Sequence, residues 1–159
     1  MKAFLIGIGL VFTAWPSAAA DSNPAVAYPG EYRKLVHVKS TLVGPQNPRF
    51  AGNGGIHHFY ANEKALEGYK TGKFPDGSVL IDDLLEVKEE GGVTTEGARR
   101  RVAVMVKDTV RYRDTGGWGY EVFKGDESAP SLSTDAKAAC FACHGKQKDR
   151  DSVFSQFRK

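Results

Sequence analysis

The densest chemistry in this chain lies near the carboxyl end, in the run Cys140-Phe141-Ala142-Cys143-His144. The pattern is C-x-x-C-H, the attachment signature of c-type haem. Cysteines three positions apart share one face of a helical turn, so both thiols can reach the two vinyl groups of one haem. The histidine that follows sets its imidazole beneath the iron as proximal ligand. The spacing predicts one covalent haem c per chain, held by Cys140 and Cys143, with His144 on the metal. A redox-active C-x-x-C is the competing reading. Such a motif opens a helix after a βαβ strand, whereas this one closes a predicted helix. With only 2 cysteines in the chain, no second pair exists for a zinc site.

The opposite side of the iron decides what such a haem does. An open position binds small ligands, whereas a Met or His there mostly supports electron transfer. Apart from the initiator, the one methionine is Met105, inside a hydrophobic run that reads as core. His37 reads as a half-exposed structural residue. His57 and His58 are the better distal candidates. Neighbours in a strand point to opposite faces, so at most one of them meets the haem. Phe50, Phe59 and Phe74 read first as core packing and second as distal caps.

The amino-terminal residues read as an address. Lys2, an apolar run over 3–15 and Ala18-Ala19-Ala20 make a secretory signal peptide over 1–20, cleaved before Asp21. The apolar run is shorter than the roughly 20 residues a membrane span needs, so no stable span is expected after cleavage. Export, to a periplasm or beyond, suits covalent haem attachment. Residues 21–30 read as a loose leader and 31–159 as one haem-binding domain. A net charge of +3 is too mild for a nucleic-acid partner. Arg99-Arg100-Arg101 reads as a solvated loop or strand end.

Strands are expected over 31–42, 55–61, 78–87, 102–106 and 118–123. The fourth, with Val102, Val104 and Val106 alternating with Ala103 and Met105, should be buried on both faces. Residues 43–55 read as a loop, 89–98 as a charged, glycine-containing turn or hairpin and 126–133 as a polar linker. Asn62 should cap a helix over 63–69 that Gly72 ends, and Thr134 a helix over 135–143. Val153, Phe154 and Phe157 should dock the tail. The fold class is α+β: a mainly antiparallel sheet of about five strands with a few helices, the haem-attachment helix near the carboxyl end.

Several segments come together in a recognisable order. They are the run from Gly55 to Asn62, the segment from Tyr69 to Ser78 containing T-G-x-F-x-D-G, the Met105-Val106-Lys107-Asp108 strand end, the C-x-x-C-H motif, and Asp151-Ser152-Val153-Phe154. Together they resemble the cytochrome P-460 family, which also contains the cytochromes c′-beta. The resemblance implies an antiparallel β fold, a homodimer and a five-coordinate haem c with His144 proximal. The P-460 branch oxidises hydroxylamine, and in some members nitric oxide. Its lysine cross-linked to haem falls here on Asp82, its distal glutamate on Ala103, and a distal arginine near His57. These departures bring the chain closer to the cytochromes c′-beta, which bind nitric oxide or carbon monoxide.

Three functions follow in order. The first is binding of a small diatomic or nitrogenous ligand such as nitric oxide. The second is an oxidoreductase on hydroxylamine or nitric oxide, with a histidine of the His57-His58 pair as base, or Asp82 if it faces inward. Solvent is the default place for an aspartate in the Asp82-Asp83 pair. The third is an electron carrier, its redox partner unnamed, using Met105 or a histidine as sixth ligand.

Overall fold

The computed structural model describes residues 26–158, so the expected signal peptide over 1–20 lies outside the described residues. Five strands form one sheet in sequence order, every neighbouring pair antiparallel. They are β1 (Val36–Val43), β2 (Gly55–Ala61), β3 (Val79–Glu90), β4 (Val93–Lys107) and β5 (Trp118–Lys124). Three helices accompany them: α1 (Phe50–Asn53), α2 (Glu63–Thr71) and α3 (Thr134–His144). The α+β reading is therefore observed, with α3 near the carboxyl end.

Both faces of the sheet are covered. Phe59, Leu80, Met105, Trp118 and Tyr120 pack with α2, Val153 and the start of the Cys140–His144 run. On the other face Ile81, Val102, Val104 and Phe123 pack with Val26, Tyr32 and Tyr112. β4 thus separates two apolar layers, as its alternation predicted. The expected loose leader is described from residue 26 onward, and there it docks. Val26 is buried, and Tyr28 meets Phe123 edge-on at 5.0 Å.

Local signals set several boundaries. Asn62 caps α2 through Oδ1, which accepts from Ala65 N at 3.0 Å, and Gly72 ends it in the left-handed region at φ 77°. The same Oδ1 accepts from Val79 N, and Nδ2 donates to the Gly77 carbonyl, so one side chain ties helix start to strand start. The cap of α3 is Ser133, one residue before the expected Thr134, because Ser133 is extended and Thr134 is already helical. A buried pair then pins α3 to β5: Lys137 Nζ lies 3.2 Å from Glu121 Oε2.

Two connections add detail to the expected layout. The charged stretch over 89–98, expected as a turn or hairpin, is a hairpin whose arms extend the strands to a turn at Gly91-Gly92, with φ 56° and 79°. Positive φ at both central residues matches the strand twist, and a solvated two-stranded arm needs no apolar alternation. The loop over 43–55 contains the short helix α1, which has no buried residue and no apolar period to announce it.

Candidate functional site

A cavity of about 480 Å³ opens between the sheet, α3 and the tail, its wall including Phe59, Asp82, Arg101, Ala103, Tyr120 and His144. That volume lies within the roughly 300–1,000 Å³ usual for small-molecule and cofactor sites. Cys140 and Cys143 also line it, both as free thiols, Cys140 half-buried and Cys143 exposed. Burial, with the Cys143 and Glu121 charges, holds the Cys140 thiol above its ordinary value.

His144 is the last residue of α3. Its Nδ1–H donates to the Ser152 carbonyl at 2.8 Å. That bond sets the tautomer and leaves the lone pair on Nε2. Burial pushes the imidazole below its ordinary value, against the opposing pull of the Ser152 carbonyl. The ring is flanked by Tyr120 at 5.2 Å and by Phe154, edge-on, at 5.0 Å. A neutral, oriented imidazole beside two thiols is a donor set suited to a c-type haem. The Tyr120 hydroxyl adds to the fit: it is buried on this wall with no hydrogen-bond partner among the described residues.

The other wall carries charge. His57 Nδ1–H donates to Asp82 Oδ1 at 2.8 Å and Nε2–H to the Asn53 carbonyl at 2.8 Å. Both partners are acceptors only, so the ring is an imidazolium. Burial alone lowers its pKa, but the Asp82 carboxylate and the Asn53 carbonyl outweigh burial and raise it above the ordinary histidine value. Arg101 donates to Gly52 O at 2.8 Å and Asn53 Oδ1 at 2.7 Å, and stands 3.8 Å from Asp82. The end of α1 therefore receives two cations, as the carbonyl end of a helical turn favours. His57 also stacks parallel on Phe59 at 5.9 Å.

Of the two adjacent histidines, His57 faces the cavity. His58 lies on the far face, where its ring bonds Ser40 at 2.7 Å and Glu96 at 2.6 Å, with His37 beside it. Met105 lines the cavity between its strand neighbours Leu80 and Tyr120. Phe59 remains at the cavity. Phe74 packs against Trp118, and Phe50 is exposed beside a separate groove.

Asp82 is not on the solvent side expected for it. Asp82 sits on the cavity wall, in register with Phe59 and Ala103. Asp83 points the other way, wholly buried, and receives Arg33 at 2.9 Å and Arg99 at 2.8 Å. The arginine run is not a solvated end. A bulge sets Leu84 against Arg101 and Leu85 against Arg99, with Arg100 the extra residue. The bulge sends Arg99 to Asp83 and keeps Arg101 on the cavity face. No local signal marks this, since the bulge exists only in the pairing of β4 with β3, where Asp83 lies 16 positions before Arg99.

The family model described as Cytochrome P460 matches residues 29–155. No curated protein matches the chain.

Proposed function

The chain belongs to the cytochrome P460 family, for which haem is the implied cofactor, and from that premise we propose a mono-haem c-type cytochrome that binds a small ligand such as nitric oxide. Cys140 and Cys143 form the thioethers, and His144 Nε2 is the single protein ligand to iron. Haem c held this way supplies a metal with one open coordination position.

The observation that favours an open position over a histidine ligand is the state of His57. Both its nitrogens are protonated and committed to Asp82 and Asn53, so it offers no lone pair. His37 and His58 lie at the other face. Arg49, Arg101 and His57 against Asp82 and Glu121 leave the cavity lining one positive charge in excess, which favours a ligand that gains negative character when bound. Phe59 and Tyr120 crowd the cavity beside them.

A second reading, an oxidoreductase on hydroxylamine or nitric oxide, draws on Asp82. Its carboxylate lies inside the cavity, where a substrate shedding protons needs an acceptor. His57, already protonated and committed to Asp82 and Asn53, is not a base there. We also propose export with removal of residues 1–20, a homodimer, and residues 31–159 as the working domain. Among the described residues no helix is long and apolar enough to cross a membrane.

Absorption spectra of the matured protein, ferric and ferrous, with and without nitric oxide, test the reading. A five-coordinate ferrous haem that changes on adding the gas is expected. A six-coordinate low-spin ferrous spectrum before any gas would remove the open position. A colourless protein with free thiols would remove the haem itself.

A further inference from the structure

Three segments distant in sequence meet behind His144. The first is Lys107, the end of β4, whose side chain is 6 % exposed. Its Nζ donates to Asp151 Oδ1 at 2.7 Å and to the Gly116 carbonyl at 3.1 Å, and lies 4.9 Å over the Trp118 ring. The second is the turn before β3, where Phe74 N donates to Asp151 Oδ2 at 2.9 Å. The third is Asp151 itself, whose carbonyl accepts from Trp118 Nε1 at 2.8 Å. Asp151 is thus held at both carboxylate oxygens and at its carbonyl.

The hold has a local purpose. Asp151 and Ser152 have φ 51° and 65°, and are the non-glycine residues of positive φ among the described residues. Each costs roughly 1–2 kcal/mol in that region, so two in succession persist only where surroundings over-determine them. The carbonyl presented by this strained pair, that of Ser152, is the one that accepts His144 Nδ1–H.

We propose that Lys107 and Asp151 are positioning residues for His144, fixing the left-handed turn that aims the Ser152 carbonyl at its ring; this rests on His144 being the haem ligand. The bond from Nδ1–H to that carbonyl orients the imidazole and raises the donor strength of Nε2. When the ion pair is broken, the turn relaxes, the carbonyl withdraws and Nε2 becomes a weaker donor. A weaker donor favours the ferrous state.

The test uses the full holoprotein with Lys107→Met and Asp151→Asn, read by resonance Raman of the iron–histidine stretch and by reduction potential. Both variants should lower the stretching frequency and raise the potential. Asp83→Asn is the control: it breaks a buried pair on the other face, and should lower stability while leaving both readouts at wild-type values. If Lys107→Met does not accumulate, Asp151→Asn carries the test, with Asp151→Gly as its companion: glycine accepts the left-handed angle without the carboxylate, so both readouts should shift less than in Asp151→Asn. Wild-type frequency and potential in the folded variants overturn the proposal while the haem reading stands. A coloured wild-type protein with no iron–histidine stretch overturns the open coordination position first, and a colourless one the haem reading.

Discussion

Removing the Asp82 carboxylate should cost stability in a pH-dependent way. In Asp82→Ala, the His57 imidazolium and the Arg101 guanidinium, whose side chains are 7 % and 22 % exposed, stay on the cavity wall with no counter-charge. The lost hydrogen bond between charged groups is worth about 1.5–3 kcal/mol. The longer, partly screened Arg101 contact adds about 0.5–1 kcal/mol. A deficit of about 2–4 kcal/mol is expected at pH 5.5. His57 has a raised folded value, so its stabilising contribution is full below the ordinary histidine value of about 6.5 and is lost as pH rises through the raised one. In the variant, burial opposes the charge with only the Asn53 carbonyl against it, so the ring deprotonates more readily. As pH rises through that raised value the imidazole becomes neutral, and the deficit should shrink toward about 1 kcal/mol. Urea unfolding of the ferric holoprotein at pH 5.5, 7 and 9, extrapolated linearly to water, measures the difference. The Asp83 contribution is common to both proteins and cancels. A deficit that stays constant or grows toward alkaline pH would refute the imidazolium assignment.

His58→Ala should leave ferric, ferrous and nitric-oxide-bound absorption spectra unchanged, whereas His57→Ala should alter the ligand-bound form, since only His57 lines the cavity. Asp83→Ala should cost about 1.5–3 kcal/mol by denaturant unfolding, because it removes the buried carboxylate that receives Arg33 and Arg99, Arg33 remaining half exposed and Arg99 keeping Asp126. Although burial opposes it, hydrogen bonding from Arg99 and Arg33 holds Asp83 below its ordinary value of 3.8. Its contribution is therefore present above that value and lost as pH falls through the depressed one, and the variant should lack this acid-side loss. Gly68→Ala should lower the melting temperature by a few degrees, because a Cβ there would sit 2.3 Å from the Phe74 ring and overpacking costs about 1–3 kcal/mol.

Much of this molecule was legible from neighbours along the chain. C-x-x-C-H is a five-residue pattern, and α3 carries it to the cavity as its spacing implied. β2 was bounded by residue type alone, and Asn62 and Gly72 marked both ends of α2. These features depend on backbone geometry over a few residues, which side-chain type governs directly.

What the chain alone left open was the absolute direction of side chains. Alternation established that His57 and His58 differ, and that Asp82 and Asp83 differ, but parity does not say which face holds the cavity. That was decided by what covers each face: Val26 and Tyr32 on one side, α3 and Val153 on the other. The arginine run was misread for a related reason, since one bulge residue reverses the parity of everything before it. The grip of Lys107 and Asp151 on the Ser152 carbonyl joins residues 44 positions apart. Charges inside a folded chain are assigned partners by packing across the whole domain, and no local window of sequence contains both members of the pair.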